Sequence, residues 1–553
     1  MAQPSSRLAE APEQHRRIPA AVLVGVIPAL FLVVFFAWPV VAIMHRGFVD
    51  TTGAFDPGGT LAILMQPSVW SIAAFTVGQA AASTVLTLAV GLPIAWMLAR
   101  VDIPGRTLLR VLVTVPFVLP TVVVGITFRA LFAQDGPLGF LGLDGTVWAI
   151  LIAHVFFNVA VVARTVGSVW AHLDPRAELA ARTLGASPLR AWWTVTVPAL
   201  RPAITSAAAV VFLFCATSFG VVLVLGGSRY RTLETEIYLQ TVQVFDLRTA
   251  AALSLLQMAT IAVAIAVATL SRPGRKQSMS LRPMTATSRK PQGTQWCGVA
   301  AVLALIGVVL VLPPVLLIIR SLRRRGEWSL EGYRLLFSAR AGTNGFEAAA
   351  LSIRTATDAA ILALTMGVLA AIAVSRLQGR YAWIADGAIL LPLGISAVTV
   401  GFGILITLGH LPGDLRRSAL IVPIAQALIA TPLVVRVVLP ALRSVGEHLR
   451  DSAAILGASP ARVWWSVDFP LVARSIAAAA GFAFVIALGE FGATSFLARA
   501  SEPTLPVLIG RLIARPGVDN VSMALSGAVV LLALTAAVIA IVEVARIRDI
   551  GEF

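Results

Sequence analysis

Twelve stretches of roughly twenty or more predominantly apolar residues follow one another along this chain, and no other feature constrains its fold so tightly. A helix needs about 20 such residues to cross a hydrocarbon core of roughly 30 Å, and unpaired backbone groups are intolerable in lipid, so each stretch is expected to be helical. The expected spans cover 18–44, 69–99, 107–133, 146–170, 198–226, 248–270, 296–319, 348–375, 382–409, 418–442, 470–498 and 520–545. Composition agrees: 58% of the 553 residues are hydrophobic and only 13% charged, too apolar for a soluble domain. The fold class is therefore all-α and polytopic. The first stretch follows Arg16 and Arg17 but is too long for a signal-peptide core and has no small-residue cleavage site after it, so it reads as a spanning helix.

A formal net charge of +16 would suit a nucleic-acid partner, but the basic residues fall in short loops and termini, where they act as topology anchors. Arg7, Arg16 and Arg17, the loop Arg100 to Arg110, the stretch Arg164 to Arg201, and Arg272, Arg275, Lys276, Arg282, Arg289 and Lys290 fall on one side. Both termini are then expected to be cytoplasmic. Arg320, Arg323, Arg324 and Arg325 fall on the other side, in a loop that also carries Glu327, Glu331 and Glu347. The two cysteines, Cys215 and Cys297, lie in apolar segments and make neither a disulfide framework nor a metal site.

Residues 271–295 are rich in Pro, Ser, Thr, Arg and Lys without apolar periodicity, and read as a cytoplasmic linker between a first six-helix half, 1–270, and a second, 296–553. The halves repeat each other. Gly185-Ala186-Ser187-Pro188 recurs as Gly457-Ala458-Ser459-Pro460, a spacing of 272 residues (457 − 185). The same spacing pairs Trp192-Trp193 with Trp464-Trp465, Pro198 with Pro470, Phe219-Gly220 with Phe491-Gly492, and Thr232-Leu233 with Thr504-Leu505. Upstream the offset is 276, pairing Gly91 with Gly367, Arg100 with Arg376 and Pro116 with Pro392. Six helices per half make this a parallel repeat about an axis along the membrane normal, with a pathway between the halves.

The segment Pro175 to Pro188 is not a span. Leu173-Asp174-Pro175 is expected to start a short helix with an acidic N-cap and a proline in its first turn. Ala177, Ala180 and Ala181 give it a small-residue face, Gly185 ends it, and Ser187-Pro188 starts the next helix. A short helix joined to spanning helices by a glycine turn can transmit a push.

With two such loops in matching places, the chain resembles the ABC-importer permease family, whose cytoplasmic loop reads Glu-Ala-Ala, three residues, Gly, and later Pro. The resemblance implies a type I ABC importer permease fold of twelve transmembrane helices in two parallel six-helix repeats. It also implies that each loop docks on an ATPase subunit through Glu178, Ala180, Ala181, Gly185 and Pro188 in the first copy, and Asp451, Ala453, Gly457 and Pro460 in the second. Counting back from Gly185 puts Leu179 at the usual glutamate position, with Glu178 one residue early. The implied partners are two copies of an ABC ATPase and an extracytoplasmic substrate-binding protein. This chain is expected to bind no cofactor and no metal and to hold no catalytic residue, ATP being used by the partner. Its lysines, Lys276 and Lys290, each follow an arginine and fit no phosphate-binding loop.

Within the family, a fused pair of halves is most similar to permeases for iron(III) and for thiamine. Similarity to the thiamine branch lies in Thr217-Ser218-Phe219-Gly220, Leu225-Gly226-Gly227, Thr232-Leu233-Glu234 and Glu236-Ile237-Tyr238. Glu490 is the pathway candidate on physical grounds, since a carboxylate at the centre of a span costs about 2.5–3.5 kcal/mol unless it meets water or a partner. An ion pair with Arg436 or Arg499 is the alternative. His154 and Asn158, together with Thr217 and Ser218, are further pathway candidates, the histidine and asparagine serving otherwise as hydrogen-bond glue between helices. The competing function is a twelve-helix secondary transporter driven by an ion gradient, which the basic loop Arg100 to Arg106 faintly resembles.

Overall fold

The computed structural model describes residues 24–50, 52–227, 229–270, 290–293, 295–324, 326–338, 344–377, 379–407 and 418–548. Most of the expected linker, the N-terminal arginines and Arg325 lie outside these. Among the described residues, ten helices are long and apolar enough to cross a bilayer: Val26–Gly47, Pro67–Arg100, Val147–His172, Pro188–Ala216, Leu247–Ala268, Gln295–Ser321, Gly345–Ser375, Ile421–Ser444, Pro460–Gly489 and Val518–Ile541.

The other two expected spans are broken. Arg106–Val118 and Thr121–Phe132 meet at 98°. The cause is Pro120, which has no N–H to donate and holds Leu119 in an extended conformation at φ −68° and ψ 141°. The equivalent pieces in the second half are Gly379–Leu390 and Ala397–Thr407, joined through the 3₁₀ turn Leu391–Gly394. Here Ser396 starts the second piece, its Oγ accepting from Thr399 N at 3.0 Å. The fifth and eleventh expected spans also need correction. Pro188–Ala216 and Pro460–Gly489 begin ten residues early and stop short, each followed after a break by a short helix, Gly220–Leu225 or Thr494–Leu497.

The early starts have a physical reason. Pro198 and Pro470 would break an α-helix by removing a donor and crowding the carbonyl four residues back. Each sits just after a wider π turn, Trp192–Thr196 or Trp464–Asp468, which makes room for the ring and lets the helix run through. Pro39 and Pro313, in the first helix of each half, follow the π turns Val33–Ala37 and Gly307–Val311 in the same way.

Within each half the closest pair is Pro67–Arg100 on Val147–His172, and Gly345–Ser375 on Ile421–Ser444. Val147–His172 and Ile421–Ser444 are also the most enclosed spans. The halves are interlocked, because the stretch Trp38–Gly47 packs on Ala397–Thr407 of the second half while Leu312–Ser321 packs on Thr121–Phe132 of the first. The first contact is close: a Cβ at Gly403 would lie 2.9 Å from Pro39 Cβ. Across the second, Arg320 Nη2 pairs with Asp135 Oδ2 at 2.7 Å, while within the second half Arg324 pairs with Asp519. Those acids offset two of the arginines that break the positive-inside pattern.

The repeat extends to single hydrogen bonds. Leu233 N donates to Thr76 Oγ1 at 3.0 Å at the start of helix Leu233–Leu239, and Leu505 N donates to Ser352 Oγ at 2.7 Å at the start of helix Leu505–Ala514. Neither helix was among the expected spans. Both lie buried between longer ones.

Candidate functional site

The two loops singled out in the sequence fold alike. Helix Arg176–Thr183 closes with Ala186 N donating to Ala181 O at 3.1 Å, and helix Glu447–Ile455 with Ala458 N donating to Ala453 O at 3.0 Å. This six-to-one closure places the intervening glycine in the left-handed region, at φ 89° for Gly185 and 83° for Gly457. Ser187 and Ser459 then cap the following spans from Pro188 and Pro460, accepting from Arg190 N at 3.3 Å and Arg462 N at 3.4 Å. The expected N-cap shifts slightly. Helix one begins at Arg176, after the proline, and Asp174 Oδ1 accepts from Arg176 N at 3.0 Å.

Ala180, Asp451, Pro188 and Pro460 are exposed, Ala181 and Ala453 half-buried. Bulky apolar side chains stand beside them, with Leu184 89%, Ile455 85% and Leu456 86% exposed. Such a surface suits a docking partner.

Each short helix is tied to the span that follows it, by different chemistry. Glu178 is half-buried and its Oε2 accepts from Thr196 Oγ1 at 2.8 Å. At the equivalent positions, 272 residues on, stand Arg450 and Asp468: Arg450 Nε donates to Asp468 Oδ1 at 2.7 Å. Arg450 also donates to Leu442 O at 2.9 Å and Val445 O at 3.3 Å, and Arg376 lies 3.6 Å from the same carboxylate. Asp468 is buried in the π turn, so its ion pair matters more than a surface one. Removing one partner of a buried pair costs ~3–5 kcal/mol. Arg450→Met is accordingly expected to lower the thermal midpoint in detergent and to speed labelling of a cysteine placed at Ser452. Arg450→Glu with Asp468→Thr, which transplants the first-half arrangement, should recover most of both; an unchanged labelling rate in Arg450→Met would remove the tether.

The second region lies where the halves meet. Phe219 and Phe491 stack with ring centroids 5.3 Å apart and planes at 19°. They are repeat equivalents, and two equivalent residues touch only at the axis that relates the halves. Tyr238 adds to the cluster, 5.2 Å from the Phe219 ring and edge-on to Phe496 at 5.4 Å. One helical turn before Tyr238 stands Glu234, fully buried. Its Oε1 accepts from Gln257 Nε2 at 2.9 Å and its Oε2 from Ser396 Oγ, in the other half, at 2.7 Å. Gln257 Nε2 also lies 3.2 Å from Ala216 O, where the span breaks.

The expected pathway residues are placed around this seam. Glu490 is buried just before Phe491, and accepts from Ala493 N at 2.7 Å, Thr494 N at 2.9 Å and the Thr494 hydroxyl. It caps the short helix Thr494–Leu497, while Arg499 pairs with Glu502 at 3.3 Å. His154 is buried between two serines, Nδ1 3.0 Å from Ser83 Oγ and Nε2 2.8 Å from Ser218 Oγ. Asn158 Nδ2 donates to His154 O at 3.0 Å and contacts Cys215 Sγ at 3.4 Å. Thr217 Oγ1 bonds back to Leu213 O at 2.8 Å. His154 and Asn158 thereby join helices of the first half. Glu234, Gln257 and Ser396 were not read as site residues from the sequence, nor were Arg450 and Asp468. The 272-residue register carried a signal for the last two, because it sets Glu178 and Thr196 opposite Arg450 and Asp468.

Comparison with known proteins agrees with this architecture. The chain is 28% identical over 459 residues to the thiamine transport system permease protein ThiP of Brucella abortus, covering 80% of this chain and 82% of that one. The Escherichia coli protein of the same description is 26% identical over 468 residues, covering 81% and 84%. The molybdenum transport system permease protein ModB of Mycobacterium tuberculosis is 36% identical over 257 residues, 43% of this chain and 90% of its own. The family model described as binding-protein-dependent transport system inner membrane component matches residues 91–321 and 363–546. With both halves matched and most of the chain covered, the protein belongs to that family, the membrane-spanning permeases of ABC importers.

Proposed function

We propose that this chain forms the translocation pathway of an ATP-driven importer for thiamine or a thiamine-like cation. An extracytoplasmic binding protein delivers the cargo to one face. Two copies of an ABC ATPase dock on Arg176–Thr183 and Glu447–Ile455 at the other, and the halves rock about the stacked Phe219 and Phe491. Both termini then lie in the cytoplasm, on the side of the docking loops. The observation that carries this reading is the pair of exposed, glycine-closed helices, alike in geometry and each tied to the foot of a span. Thiamine is preferred over an oxyanion because the thiamine permeases match both halves, whereas the molybdenum permease matches 43% of the chain. Buried carboxylates near the seam, Glu234 and Glu490, also suit a cation.

The test is uptake into proteoliposomes holding the permease, its ATPase and its binding protein, with thiamine, thiamine phosphates, iron(III) chelates, molybdate and sulfate offered separately. ATP-dependent accumulation of thiamine is expected. Accumulation of an oxyanion or of iron(III) instead would overturn the cargo, and uptake without ATP would overturn the mechanism.

A further inference from the structure

We propose that Glu234, with the rings of Phe219, Tyr238, Phe491 and Phe496, forms a site for an aromatic organic cation that is closed in this structure and assembled as the halves part. It rests on the reading of the cargo as a cation.

Helix Leu233–Leu239 turns one face to the seam. Glu234 and Tyr238 are four residues apart and share that face, one bonded to Ser396 of the other half and the other packed edge-on to Phe496 of the other half. A carboxylate beside several ring faces is the chemistry that recognises an organic cation, through charge and through the negative faces of the rings. In the state described here those groups satisfy one another. The rings pack on each other with centroids 5.2–5.4 Å apart, one pair stacked and the others tilted or edge-on, and the carboxylate is filled by two side-chain donors.

What distinguishes Glu234 from Glu490 is where its donors come from. Glu490 accepts from the backbone and hydroxyl of its own next turn, so those bonds persist whether the halves are together or apart. Glu234 accepts from Ser396 across the seam, and separation of the halves removes that donor. The Phe219–Phe491 stack also joins the halves and is lost in the same motion. Opening therefore exposes a carboxylate short of a donor and ring faces short of a partner, at one place. A planar cation replaces both.

The experiment is thiamine uptake by the reconstituted complex as a function of loaded binding-protein concentration, with assembly of each variant checked by size-exclusion chromatography. Glu234→Gln keeps the shape and can still accept from Ser396, and it should reduce uptake about tenfold or more, equivalent to ~1.4 kcal/mol. Glu234→Asp should restore a measurable part, Tyr238→Phe should stay near wild type, and Tyr238→Ala should fall with Glu234→Gln. An assembled Glu234→Gln complex that imports thiamine at the wild-type rate overturns the site and leaves the proposed cargo standing. Equal losses in Glu234→Gln and Glu234→Asp would make the residue structural and likewise overturn it. A wild-type complex that imports oxyanions and no thiamine overturns both.

Discussion

Replacing Gly185 and Gly457 together by valine is expected to abolish ATP-driven uptake and ATPase association while leaving the permease inserted in the membrane. Both glycines hold the left-handed backbone, at φ 89° and 83°, and no atom lies within 4 Å of where a Cβ would stand. The damage is therefore conformational, without a steric clash. A residue with a Cβ pays roughly 1–2 kcal/mol in that region, and a β-branched one more. That is enough to open a closure made of one or two hydrogen bonds on an exposed eight- or nine-residue helix, and too little to unfold spans that are buried elsewhere. Asparagine tolerates the same backbone, so Gly185→Asn with Gly457→Asn should retain most activity. Uptake, co-purification of the ATPase and the membrane-fraction yield check the three parts. Normal uptake in the valine double variant would sink the coupling role of these loops.

The second large effect concerns folding. Gly91→Leu or Gly367→Leu is expected to eliminate folded protein and not merely its activity. A Cβ at Gly91 would lie 2.7 Å from both Val162 Cβ and Cγ1, and one at Gly367 would lie 2.5 Å from Val434 Cγ1. Carbon atoms pack at about 3.5–4.0 Å, so even alanine requires these helices to move apart. Within a bilayer no hydrophobic force pulls them back, because lipid tails are as apolar as the side chains, and close packing of small residues does the work of association. The positions lie in the most extensively packed helix pair of each half. Yield and monodispersity in detergent measure the outcome. Gly91→Ala with Val162→Gly should recover part of what Gly91→Ala alone loses; if Gly91→Leu gives wild-type yield and melting, the close approach is not needed for folding.

Most of the spans, the repeat and the two glycine-closed loops were legible in the sequence because each rests on a local signal: apolar length, a register that recurs, and a glycine three residues before a proline. The breaks were less so. Pro120 lies inside an apolar window that a hydropathy reading runs straight through, although its effect on Leu119 is a local steric fact. Pro198 misled in the opposite sense, since a proline reads as a start, whereas the π turn before it lets the helix that Ser187-Pro188 begins run on through it. Family membership favours the ATP-driven reading over the ion-gradient alternative. The seam could not be read at all from one half. Glu234 meets Ser396, 162 positions further on, and no periodicity marks a short helix such as Leu233–Leu239. The capping box between Thr232 and Thr235 was the one local cue that a helix started there.

The exchange of first helices between the halves sets a clock on biosynthesis. The stretch Trp38–Gly47 can meet Leu247–Leu270 of its own half early, but the other surface it packs on, Ala397–Thr407, is made some 350 residues after it (397 − 47). At ~5–20 residues per second that is a wait of roughly 20–70 seconds with one face of the helix unclaimed in the bilayer. Throughout it, lipid or an insertion factor must occupy the face that Gly403 will eventually cover. A truncated chain ending after the first half is stranded at that stage, and is expected to be a substrate for membrane proteolysis unless the second half is supplied alongside it.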